Sequence, residues 1–192
     1  GLGRSVGARY GRVKRPLTSP FMERLGISGV YIPFTAEATV ARGLPAMRMP
    51  FSMAHEKAHQ RGIANEAEAS FLGFAACALA PDPLARYAAA MFAQGQLLAA
   101  LPLPERRRIA ATRLPGLERD IQDMNAYLSR HTGVAREVQT AVNDRYLRAN
   151  RVPGGVQSYG LSVRLLIQYS RQNGGLLPGG RAGTEQDSGG MP

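Results

Sequence analysis

The sequence predicts a mainly α-helical domain with one small β-hairpin or edge strand ahead of its central helix. Three observations carry that reading. Apolar residues recur at helical spacing, as in Leu117, Ile121, Met124 and Leu128 and again in Val138, Val142, Tyr146 and Leu147. Prolines and glycines punctuate the chain where helices should start and stop. The one β-branched, aromatic run is Ile27 to Phe34, and Pro33 restricts it to an edge.

Taken in order, residues 1–27 are Gly- and Arg-rich and read as a basic N-terminal arm. Glu37 to Arg42 is a hairpin partner for the run before it. Pro50 then opens a helix over Phe51 to Arg61, which Gly62 ends. Asn65 caps the next, from Glu66 to about Ala80. A third helix runs from Asp82 to Leu101, with Pro102 and Pro104 after it. A short basic helix covers 105–113, and longer ones cover Pro115 to Arg130, Val134 to Asn150 and Ser158 to Ser170. The domain is thus expected over 28–172. The Gly- and Pro-rich tail, 173–192, is expected to be disordered.

Size and charge exclude several classes. At 192 residues and 44% hydrophobic composition, the chain can bury a core. Its one cysteine, Cys77, excludes an internal disulfide framework and reads as a small core residue. The longest apolar run, Ala69 to Ala80, falls short of the roughly 18 residues of a membrane span. The net charge is +10. Arginines crowd the first fifteen residues and positions 106–108, yet no nucleic-acid-binding signature accompanies them, so no nucleic-acid partner is expected. A solvated arginine-rich surface, or an arm beside anionic lipid, accounts for the charge. The chain begins with Gly1, from which we expect a piece of a longer protein.

The motif with chemical content is His55-Glu56-Lys57-Ala58-His59. Residues four apart on a helix share a face, so both imidazoles can converge on one cation. The glutamate beside the first histidine can reach a water there and act as general base. A third ligand is needed, and two acids follow the turn glycine Gly62, namely Glu66 and Glu68. They point to different helix faces, so one of them should reach the metal. Two readings stay open at this point: Glu66 or Glu68. Ordinary surface histidines, and acids placed in a first helical turn by the helix dipole, are the bland alternative.

The run from His55 to Asn65 resembles the HExxHxxGxxH arrangement of metzincins, with Asn65 at the last histidine's place. Glu66-Ala67-Glu68-Ala69-Ser70 resembles the ExxAD element of membrane gluzincin peptidases, which implies Glu66 as ligand and Ser70 at the place of an aspartate that orients a histidine. More extensively, residues 51–64 with Glu66, Glu68, Ala69 and Phe71 are similar to a bacterial domain-of-unknown-function family of membrane-associated, zincin-like proteins. Residues 29–38, 142–150 and 158–160 agree with it. The resemblance covers about residues 10–172. It implies a zincin-like helical metallopeptidase domain, with transmembrane helices N-terminal to it and hence a bacterial cell membrane location.

The resulting expectation is a Zn²⁺-dependent peptidase acting on a protein or peptide. His55, His59 and Glu66 or Glu68 would hold the ion, and Glu56 would move the proton. Tyr146 and Tyr159, in the family-like C-terminal segments, are candidates for stabilising the oxyanion. His131 is a weaker candidate for that role, and Glu37 for touching substrate from the strand. The other class of function is a non-catalytic metal-binding module that docks a membrane partner.

Overall fold

The computed structural model describes residues 11–130, 158–175 and 177–179. Among the described residues it is mainly helical, with a single two-stranded antiparallel hairpin. Helix α1 is Ser19–Arg24, strand β1 is Gly29–Ile32 and strand β2 is Glu37–Val40. Then come α2 (Met49–Gln60), α3 (Glu66–Ala78), α4 (Pro83–Ala99), α5 (Leu103–Ala110), α6 (Pro115–Arg130) and α7 (Ser158–Gln172). The expected helix over 134–150 lies outside the described residues.

The hairpin pairs Gly29 with Val40 and Ile32 with Glu37. Its four-residue turn ends on Ala36, which takes the left-handed φ of 52° that such loops require. The domain begins earlier than residue 28. Lys14 N–H donates to the Ala38 carbonyl and Val40 N–H donates to the Lys14 carbonyl, so Lys14 adds a bridge to β2. Ser19 and Met22 of α1 are buried, and Glu23 accepts the Gly43 N–H. The Arg and Gly content masked this helix, because its stability comes from these tertiary contacts rather than from propensity. At the other end, Leu177 packs against the core, so that part of the tail is folded onto the domain.

Helices α2 and α3 form the central pair. Gly62, at φ 91°, closes α2: its N–H bonds the His59 carbonyl, and the Ile63 N–H bonds the Ala58 carbonyl. That double bond pattern is a Schellman ending, which satisfies the helix's last carbonyls. The chain then reverses. The Asn65 side chain accepts from the N–H groups of Ala67 and Glu68 and starts α3. Gly73 lets α3 lie close: a Cβ there would come within 3.1 Å of the His55 nitrogen.

The core sits where α2, α3 and α4 meet. The Phe51 and Phe92 rings stack at 4.2 Å, Phe74 packs beside them, and Leu166 of α7 closes one side. Alanines 85, 88, 89 and 93 give α4 a flat face for this approach. Each buried phenylalanine contributes about 1.5–3 kcal/mol relative to exposure. Pro104 starts α5 rather than only ending α4, as proline does in a first helical turn. Arg106, one of the clustered arginines, binds the Leu98, Ala99 and Leu101 carbonyls and so caps α4.

The α3 cap gives a stability test. Asn65→Ala should cost about 1 kcal/mol in urea unfolding, while Asn65→Asp should retain nearly all of it. A loss near zero for the alanine variant would show that the cap does not hold the turn.

Candidate metal centre

Three side chains converge from α2 and α3. His55 Nε2 and His59 Nε2 lie 3.1 Å apart, and Glu66 Oε2 lies 3.2 Å from the first and 3.5 Å from the second. Four ligands placed tetrahedrally about 2.0–2.1 Å from an ion stand about 3.3–3.4 Å from one another. The observed triangle has that size, so this trio could hold a metal ion.

The histidine rings are oriented for that task. His59 Nδ1 lies 2.7 Å from the Ile63 carbonyl, which only accepts, so Nδ1 carries the proton and Nε2 keeps its lone pair. The Schellman ending of α2 is what puts that carbonyl there. His55 Nδ1 lies 3.3 Å from Ser70 Oγ, one turn along α3 from Glu66. The two rings stand nearly perpendicular, at 86°. Such outer partners fix tautomer and aim in metal-binding histidines.

Of the two acids, Glu66 faces the histidines, whereas Glu68 is exposed and lies outside the trio. Asn65, at the position of the metzincin histidine, is engaged as the helix cap. Glu37 is paired with Lys14 on β2, so its carboxylate braces the bridge beside the hairpin. Cys77 is buried in the core, and burial first, then Asp82, pushes its thiol up to about 11. Tyr159 lies in the first turn of α7, but its side chain is outside the described residues, as are His131 and Tyr146 altogether.

Glu56 is 6% exposed and sits between α2 and β1. A Cβ on Gly29 would come within 2.8 Å of its Oε1 and 3.0 Å of the Thr39 carbonyl, so the strand must carry glycine here to lie over the carboxylate. A glycine inside a β-rich run signals such close approach, and Gly29 was legible on that ground. Gly73 and the Ile63 carbonyl were not, since each matters only through the reversal of the chain.

The charges reinforce one another. Burial pushes the Glu56 carboxyl up to about 7, against the pull of His59 and a backbone hydrogen bond from Tyr31. Glu66 goes the other way. Its burial favours the neutral acid, but hydrogen bonds and charge from both histidines hold it down at about 2. His55 is lowered, by burial first and then by His59 and Arg48, despite Glu66. For His59 burial is also the largest effect, but Glu66, Glu56 and the Ile63 carbonyl together overcome it and raise the pKa. A carboxylate held ionised at neutral pH thus sits against two imidazoles, close to an acid that burial raises to about 7.

Residues 3–167 match the family described as "Protein of unknown function (DUF3810)". The chain belongs to that family. The match spans the hairpin and all of α1 to α6, so the cluster lies within the DUF3810 region. No curated protein and no solved structure gives a significant match to this DUF3810 chain.

Two outcomes follow from this geometry. Zn²⁺ added to metal-free protein should raise its melting temperature, since a cation at 100 times its Kd stabilises the fold by about 2.7 kcal/mol. Glu66→Ala should abolish the rise and Glu68→Ala should leave it, as read by thermal unfolding with and without chelator.

The second concerns Glu56 in metal-free protein. Unfolding releases its carboxyl to the ordinary 4.5, whereas the fold holds the proton up to about 7. Stability present below pH 4.5 is therefore lost as pH rises to 7. That is up to about 3 kcal/mol in order of magnitude. Glu56→Gln should accordingly stabilise the chelated protein at pH 8 and change little at pH 4, in urea titrations at both pH values.

Proposed function

We propose that this domain is a zinc-dependent peptidase of zincin type, hydrolysing peptide bonds in a protein or peptide substrate. The convergence of His55, His59 and Glu66 at 3.1–3.5 Å, with a buried acid adjacent in sequence, carries this reading. Two neutral imidazoles and one carboxylate are the donor set of a catalytic zinc site, which keeps a further position open. Bound zinc would supply a Lewis acid that polarises the scissile carbonyl and makes a water acidic near neutral pH.

The chain's own residues do the rest. Glu56 receives a proton from the water as the water oxygen bonds the carbonyl carbon. It then passes that proton to the departing amine nitrogen as the C–N bond breaks. Burial lifts this carboxyl toward neutrality before any ion is bound, which favours its holding a proton between the two transfers. Ile63 and Ser70 hold the imidazoles in aim throughout. Tyr146 and Tyr159 are the chain's candidates for a donor to the oxyanion. Strand β1, lying over Glu56, offers an edge along which an extended peptide can pair.

The working place proposed is the bacterial cell membrane, which rests on the resemblance to membrane-associated zincin-like proteins. Among the described residues no helix is long and apolar enough to cross a bilayer.

With zinc supplied and an unfolded protein such as casein as probe, the wild type should cleave and chelator should stop it. Glu56→Gln should keep its zinc and lose at least about 10²-fold in kcat. Zinc-loaded wild type that hydrolyses nothing, or a Glu56→Gln variant of undiminished rate, would refute the peptidase reading; the former outcome is what a non-catalytic metal-binding module predicts.

A further inference from the structure

Outside the metal centre, the structure holds a cavity of about 150 Å³ between the start of α2, α4 and α6. Met47, Arg48, Ala88, Met91, Ile121, Met124 and Asn125 line it. It exists because α6 stands off from α4. The Tyr87 hydroxyl donates to Asp120 and ties the two helices, but of all α6 only Tyr127 is buried. Ile121 and Met124, half of the apolar stripe that should have packed into a core, face this space instead.

The lining suits one kind of occupant. A volume of about 150 Å³ is large enough for a benzene ring, and the lining is apolar apart from Arg48 and Asn125. Methionine thioethers make favourable contacts with aromatic rings and adapt their shape to them. Arg48 already lies over a ring within the protein, 4.7 Å from the Phe51 centroid, which shows its guanidinium placed for cation–π contact at this wall.

The place relative to the metal centre is also set. Arg48 is the N-cap residue of α2, and His55 and His59 follow it by seven and eleven residues, a spacing that brings them toward one face of the helix. Seven residues of helix span about 10 Å. An extended peptide covers that distance in about three residues. Phe51 joins the two regions, since its ring contacts Arg48, His55 and Phe92.

Resting on the peptidase reading, we propose that this methionine-lined cavity is a specificity subsite. It takes an aromatic side chain of the substrate about three residues from the bond that is cut.

The test has a binding arm and a cleavage arm. Protein labelled with ¹³C-methyl methionine is titrated with N-acetyl-phenylalanine amide and with its alanine analogue. Saturable shifts of Met47, Met91 and Met124, with Met22 unmoved and no response to the alanine probe, are expected. Met124→Lys should weaken the binding at least tenfold while the other methionine signals stay native. In the cleavage arm, zinc-loaded protein is given peptides in which a single phenylalanine is walked along an alanine-rich sequence. A phenylalanine about three residues from the cut should raise kcat/KM at least tenfold over alanine. Binding shifts without cleavage of any peptide would keep the aromatic site and refute its role as a peptidase subsite. Cleavage with unmoved methyl signals and no aromatic preference would overturn the proposal and leave the peptidase reading intact. A cavity already filled by another part of the chain gives unmoved signals too, and overturns it equally.

Discussion

The reversal of the chain between Gln60 and Glu66 is the constraint on which the rest depends. A glycine with positive φ ends one helix, and an asparagine side chain starts the next within five residues. The tightness of that turn puts the first residue of α3 against the last turns of α2. Glu66 therefore meets His55 and His59, and the Ile63 carbonyl meets the back of His59. Gly73 extends the close approach by admitting the backbone of α2 where a side chain would block it. Cluster and central helix pair are one packing solution.

Glu56 shows the opposite relation between stability and chemistry. Its carboxyl is buried under a strand, where charge is poorly solvated. The strand could have stood further away, but Gly29 brings it into contact instead. The fold thus tolerates an unfavourable group next to the His55, His59 and Glu66 trio, a pattern common at functional sites. Beside it, Glu66 is held ionised by its two histidines. Two carboxyls on neighbouring turns are driven apart in acidity by what surrounds them.

Much of this was legible from residue spacing. The i, i+4 histidines, the turn glycine and the capping asparagine place α2, the reversal and α3 within two residues of their observed bounds. Between Glu66 and Glu68 the sequence left a choice, because both sit in a first turn. Only the rotation of α3 about its axis, set by Gly73 and the alanine face of α4, aims Glu66 inward. Helix α1 and the Lys14 bridge escaped notice because their partners lie twenty or more residues away. The cavity escaped for a related reason: an apolar stripe on α6 predicts burial, and nothing local to it reveals that α6 stands off.

The serine behind His55 has a consequence of its own. A carboxylate at that spot would donate electron density through the imidazole and strengthen its grip, whereas the Ser70 hydroxyl is neutral. An ion seated here would therefore be held less firmly than in a site where a carboxylate backs the histidine.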